Sequence, residues 1–442
     1  MKSFRMKVVS LTLAVLLLGA LGAGCSGNKK ASSSEPAKPV TIRYARWGLP
    51  EEMNGTKKIL AAFQKENPNI TVKLENSSWD QYWQKMQTEM ASSTAPDAML
   101  MDGGWYLTQF APNGALEDIG ALMKKSNLSK DDFFNVWTTF TYNNKIYALP
   151  RDYNSIVLFY NKDLFKKAGI TEYPNGNMTW QQLVPIAQKL TLDKNGKNAT
   201  DPSFDASNIK QYGLCLPMMN VDSTLETVIW QNGGQLMSTD GKTCLIGSAQ
   251  AKGALQFIHD LTFKYHVAPS NSALTKYGEE EFPSGSFAMV YQGSWLTSSL
   301  SDAKFDWDIS VAPTMGKKIY CAQSVGNAIL SSSTHKDAAW KLVQFMSGKE
   351  GQTIMAQSND SIPVLKEVAQ DYYVKQSGKP ANKQAIFDEA TNTVPYVSYA
   401  GKSDIFDAIT QISAPYFDNR QSLDATVSSI MAKVKSIQAL NQ

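Results

Sequence analysis

The sequence predicts an α/β protein of two lobes, each a mostly parallel sheet flanked by helices. From Val40 to Met101 the chain alternates strand-like and helix-like periods in the order strand, helix, strand, helix, strand. The alternation resumes at Ile156. A length of 442 residues exceeds one ordinary core and suggests two or three domains of roughly 150 residues.

The elements follow from local pattern. Thr41-Ile42-Arg43-Tyr44-Ala45 reads as the first strand. Ile59, Leu60 and Phe63 form one face of a helix that stops at Asn67-Pro68, because proline disfavours helix in the residue before it. Ile70, Val72 and Leu74 alternate as a second strand, and Ala98 to Met101 is a third. Between them Trp79, Tyr82, Trp83, Met86 and Met90 repeat at helical spacing. In the second half, Ile156 to Tyr160 reads as a buried strand, and Asp163 to Ala168 as a short helix closed by Gly169. Thr179 and Gln182 fit a capping box ahead of the apolar face Leu183, Ile186, Ala187 and Leu190. Val228 to Gln231, Ala251 to Phe263, Ala338 to Phe345 and Leu423 to Ile437 are further helices.

Residues 1–24 read as a targeting segment. Lys2, Arg5 and Lys7 precede an apolar run from Val8 to Ala20 that is too short to span a membrane comfortably. Cys25 then follows Leu21-Gly22-Ala23-Gly24, similar to a bacterial lipoprotein signal in which the cysteine is lipidated, although Gly22 stands where such signals usually carry an aliphatic residue. Residues 25–39 are too polar to bury and read as a flexible tether. Without the leader, 40 basic residues balance 40 acidic ones, which leaves no electrostatic footprint for nucleic acid.

The usual signatures of chemistry are missing. Cys215, Cys244 and Cys321 include no Cys-x-x-Cys pair and the chain has three His, so no metal or cofactor is expected. No Gly-x-Ser-x-Gly elbow occurs. Gly241-Lys242-Thr243 lacks the upstream glycine of a phosphate loop, since that position is Leu236. Asp193-Lys194-Asn195-Gly196 reads as a turn and not a calcium loop, and Glu279-Glu280-Glu281 as a solvated run.

Several stretches in the right order resemble a known family. They are Tyr147-Ala148-Leu149-Pro150-Arg151-Asp152-Tyr153-Asn154, then Leu158-Phe159-Tyr160-Asn161-Lys162-Asp163-Leu164-Phe165, then Trp230-Gln231-Asn232-Gly233-Gly234, Gly293-Ser294-Trp295 and Lys336-Asp337-Ala338-Ala339-Trp340. The chain resembles the extracellular solute-binding proteins of carbohydrate importers, the group that includes maltose-binding proteins. The resemblance implies a two-lobed type II periplasmic-binding-protein fold. It places 40–149 with 304–347 in the N-terminal lobe and 150–303 with 348–442 in the C-terminal lobe. It also implies a monomer without a cofactor that holds a mono- or oligosaccharide between the lobes and delivers it to an ABC permease.

Sugars offer an apolar face and a rim of hydroxyls, so their sites pair aromatic platforms with hydrogen-bonding side chains. Loops after strands supply Trp47, Asp102, Trp105 and Trp295. Asp152 and Asn154 lie at the inferred lobe crossing, and Trp230 and Asn232 stand beside a double glycine. Tyr396 and Tyr399 lie in a late polar loop, and Asp80 opens a helix. Trp83, Trp137, Trp180, Trp307 and Trp340 fall within regular patterns and are expected in the core. Two alternatives stand beside this reading. One is a receptor for another small solute, glycerol phosphate, a polyamine or iron, of which a phosphate would use Arg43, Arg46 or Arg151; the other is a surface glycoside hydrolase, a true enzyme.

Overall fold

In the first half, strand β1 (Val40–Trp47) is followed by α1 (Pro50–Glu66), β2 (Ile70–Ser77), α2 (Trp79–Ala91) and β3 (Ala98–Asp102). The computed structural model describes residues 38–48, 50–126, 128–217, 221–277, 282–300 and 303–440. The leader, Cys25, the tether to residue 37 and Glu279-Glu280-Glu281 lie outside these residues. β1 pairs in parallel with β2 and β3, and Ile42 and Tyr44 are fully buried. Ile59 and Phe63 of α1 and Tyr82, Trp83 and Met86 of α2 cover the sheet, as their spacing predicts.

The chain continues through β4 (Ala148–Pro150), β5 (Asn154–Asn161), α3 (Trp180–Leu190), α4 (Glu226–Gln231) and α5 (Ala249–Phe263). It then forms β6 (Met289–Gly293), β7 (Trp307–Val311), β8 (Tyr320–Gln323) and β9 (Val325–Ile329). The last described elements are α6 (Lys336–Ser347), α7 (Lys349–Gln357), β10 (Thr393–Pro395), α8 (Lys402–Phe417) and α9 (Leu423–Leu440). The first sheet runs β2-β1-β3-β9-β4, and the second runs β6-β5-β8-β10 with β7 also on β5. The capping box at Thr179 and Gln182 forms as predicted. Trp83, Trp137, Trp180, Trp307 and Trp340 are all buried.

Two expectations need correction. The second sheet is not mostly parallel: β5 is antiparallel to β6, β7 and β8, and the β8–β10 pair is parallel. Apolar runs mark a strand but carry no direction, and the partners of β5 come from far along the chain, where connection length forces neither sense. The return to the first lobe comes later than residue 304, because β7 and β8 pair with β5 and the strand that rejoins the first sheet is β9. α7, expected in the second lobe, packs on α1 and α6 instead.

The backbone passes between the sheets at Arg151–Tyr153 and again at Ser324. Asp152 ties these passages together. Its carboxylate accepts from Val325 N at 2.8 Å and Ser361 Oγ at 2.9 Å, and its carbonyl accepts from Ser324 Oγ at 2.5 Å. Beside it Arg151 donates to Asp360 at 2.7 Å, and Arg46 approaches the same oxygen at 3.4 Å. Thr56 Oγ donates to the other oxygen of Asp360 at 3.0 Å.

Candidate functional site

A cleft of about 450 Å³ opens between α4 with the loop after it and the segment that joins β10 to α8. Glu226 and Trp230 stand four residues apart on α4 and therefore share the face it turns to the cleft. A π turn at Val221–Leu225 leads into α4, a distortion frequent at functional sites. Lys317, from the connection of β7 to β8, forms one side. Tyr396, Val397, Tyr399 and Lys402 form the other.

The Tyr396 hydroxyl accepts from Gln323 Nε2 at 2.5 Å. Its ring lies against Gly104 of the first lobe, where a Cβ would fall 2.8 Å from Tyr396 Cδ2. Only glycine permits that approach without a shift of the ring. Two residues on, Ser398 Oγ donates to the carbonyls of Gly103 at 3.3 Å and Thr139 at 3.4 Å. The segment after β10 thus joins the second sheet to the loop that follows β3.

The Tyr399 hydroxyl is buried without a hydrogen-bond partner among the described residues. Burial raises its pKa well above the ordinary phenol range, and the nearby charge of Glu226 adds to the rise, so it stays protonated. The Lys402 side chain is 2% exposed. Its Nζ lies 4.2 Å from the centroid of Tyr396, 5.2 Å from Phe406 and 5.8 Å from Tyr399, and donates to the Val397 carbonyl at 3.2 Å. Aromatic faces, an amide and a few charges make a surface of the kind that suits a polar, ring-shaped molecule.

The structure brings Trp230, Tyr396 and Tyr399 together in this cleft. The other sequence candidates stand elsewhere. Asn232 donates from Nδ2 to the Gln250 carbonyl at 2.7 Å, and Asn154 Oδ1 accepts from Ser294 Oγ at 3.0 Å. Asp152 is occupied in the crossing described above. Asp102 Oδ1 accepts from Trp105 N at 2.8 Å, and the Trp105 ring meets Phe406 edge-on at 6.0 Å. Trp295 folds over Gly293, where a Cβ would fall 1.8 Å from Trp295 Cζ3, which explains the glycine. Trp47 packs in an aromatic cluster, 4.9 Å from Trp79, 5.2 Å from Tyr82 and 5.3 Å from Trp83. Asp80 is exposed in the first turn of α2.

Residues 47–353 match the family described as bacterial extracellular solute-binding protein. The chain belongs to that family. Among relatives of this solute-binding protein, a galactooligosaccharide-binding protein of Bacillus subtilis is 22% identical, with 99% of each chain covered. A maltooligosaccharide ABC transporter solute-binding lipoprotein of Streptococcus pneumoniae is 23% identical, covering 90% of this chain and 88% of its own. Among solved structures, an ABC substrate-binding protein of Listeria monocytogenes in complex with cycloalternan superposes with a TM-score of 0.81 at 25% identity. That match covers 91% of this chain and 100% of the other. Maltose-bound MalE3 of T. maritima has a TM-score of 0.74 at 22% identity, covering 90% and 99%, and shows the shared fold.

Sequence reasoning missed Glu226, Lys317 and Lys402. Glu226 had a signal, since it lies one helical turn before Trp230. Lys317 and Lys402 had none, because a lone lysine is ordinarily a solvated surface residue.

Proposed function

We infer that this solute-binding protein captures a sugar or oligosaccharide and delivers it to the membrane permease of an ABC importer. The observation that carries the reading is the cleft in which Trp230, Tyr396 and Tyr399 stand with Glu226, Gln235 and Lys402. Its volume lies within the range of small-molecule sites. The relatives named for galacto- and maltooligosaccharides, and the solved relatives holding cycloalternan and maltose, support the sugar class.

Trp230 and the rings of the two tyrosines are the stacking residues in this reading. The passages at Arg151–Tyr153 and Ser324 serve as the hinge about which the lobes close on the ligand. The protein binds and does not cleave: the described lining holds one carboxylate, Glu226, where glycoside hydrolysis uses a pair. A lipid on Cys25 holds the monomer at the extracytoplasmic face of the membrane, a reading supported by the signal-like sequence before it and by the pneumococcal relative's name.

A thermal-shift screen against sugars, glycerol phosphate, polyamines and ferric iron tests the ligand class. A ligand that binds only the folded state adds about 2.7 kcal/mol at a hundredfold excess over Kd. Stabilisation by a sugar supports the reading. Stabilisation by phosphate, polyamine or iron alone overturns the sugar class.

A further inference from the structure

We propose that Lys402 is a positioning residue of the cleft, holding the rings of Tyr396 and Tyr399 in the arrangement that stacks on the ligand. The proposal rests on the sugar-binding reading and names a residue that sets how well that site binds.

Lys402 occupies an unfavourable place. It is the first residue of the sixteen-residue helix α8, where the positive end of the helix dipole opposes a cation. It is also 2% exposed, and an ammonium taken out of water must recover its hydration from the protein. Both features oppose stability, and local rules are broken in this way mostly where function compensates. Part of the recovery comes from residues of the cleft itself. Nζ sits within cation–π range of Tyr396, Phe406 and Tyr399 at 4.2, 5.2 and 5.8 Å, and it donates to the carbonyl of Val397, between the two tyrosines.

The tyrosines need such an anchor in different degrees. Tyr396 is also held at its hydroxyl by Gln323. The Tyr399 hydroxyl has no partner among the described residues, so contacts on its ring orient it. Besides its packing against the core, these contacts include the backbone of Gly241, where a Cβ would fall 2.4 Å from Tyr399 Cγ, and the ammonium of Lys402. One cation thus fixes two platforms and the backbone between them. Affinity from stacking depends on rings already in place before the ligand arrives.

The test uses the full chain with Lys402→Met, which keeps the stem and deletes the charge, and Lys402→Arg, which keeps the charge. Without ligand, the methionine variant is expected to lose near-ultraviolet circular dichroism from tyrosine while its far-ultraviolet spectrum stays the same. The arginine variant is expected to retain both signals. With the sugar found for the wild type, Lys402→Met is expected to weaken binding about tenfold and Lys402→Arg to restore most of it. In a Tyr396→Ala, Tyr399→Ala background, Lys402→Met should cost no further affinity. Should Lys402→Met fail to fold, Lys402→Gln takes its place in every arm. An unchanged tyrosine signal in the charge-deleted variant overturns the proposal. So does a binding loss that adds fully to the tyrosine substitutions, since Lys402 would then act on the ligand directly. If the wild type binds no sugar, the ligand class fails, and the ligand-free spectra still decide the role of Lys402.

Discussion

Arg151 donates to Asp360 across 2.7 Å, with both side chains almost wholly out of water. Arg46 reaches the same carboxylate, so one acid serves two buried guanidiniums where the first lobe meets the crossing. Burial alone would raise the Asp360 pKa, but the charges of Arg151 and Arg46 outweigh it and hold the carboxyl below its ordinary range. Asp360→Asn removes the carboxylate that the two guanidiniums share, leaving Asp152 at 3.5 Å from Arg151. It is expected to cost about 3–5 kcal/mol, read as a lower denaturant midpoint with little change in slope. A loss below about 1 kcal/mol would show that the cluster does not hold the crossing.

Glu75 gives the acid limb of stability a defined window. It accepts from Arg43 at 2.7 and 3.0 Å and from Lys85 at 2.8 Å, and chiefly through the Arg43 bonds its pKa falls from 4.5 to about 2. A carboxylate depressed on folding contributes stability that is present above its unfolded value and lost as pH falls through its folded value. The wild type is therefore expected to exceed Glu75→Gln in Tm above about pH 4.5, and the difference to shrink towards pH 2. A difference independent of pH would contradict the assignment.

Adjacent glycines at the end of β3 separate packing from binding. A Cβ on Gly103 would meet the Thr139 carbonyl at 2.4 Å, a backbone atom with little room to move. Gly103→Ala is expected to destabilise the protein by about 1–3 kcal/mol. A Cβ on Gly104 would instead meet the buried Tyr396 ring at 2.8 Å and push it out of place. Gly104→Ala is expected to weaken ligand binding severalfold, as read by calorimetry, and Gly103→Ala to leave affinity nearly unchanged. Equal losses of affinity in the two variants would count against this division.

The tryptophans divide in the same way. Trp230→Ala is expected to weaken binding at least tenfold with a small change in Tm, because the ring lines the cleft. Trp47 sits among Trp79, Tyr82 and Trp83, so Trp47→Ala is expected to cost about 2 kcal/mol of stability and little affinity. Denaturation and binding measured on both variants check the assignment.

Much of the fold was legible because the relevant signals are local. The period Trp79, Tyr82, Trp83, Met86 declares one face of α2, and Thr179 with Gln182 declares the start of α3. Strand direction in the second lobe was not legible, since β5 carries an uninterrupted apolar run and its pairing is settled by distant segments. The site was less legible still. Asp152 was recognised at the crossing, but its partners Val325 and Ser361 lie 173 and 209 residues away, and they turn a candidate ligand contact into a structural tie. Trp230, Tyr396 and Tyr399, which line one cleft, are marked in the sequence only as aromatics beside glycine-rich or polar loops. Trp47 and Trp295 carried the same signal and pack against their own lobes, because loop position fixes exposure only once the neighbouring side chains are known.

The most direct test of the central claim is calorimetric titration of the wild type and Trp230→Ala with galacto- and maltooligosaccharides. The wild type is expected to bind at least one of these sugars saturably and one-to-one, and the variant at least tenfold more weakly. Equal affinity in both proteins would place the sugar outside this cleft, and no binding by the wild type would contradict its role as a receptor for these oligosaccharides.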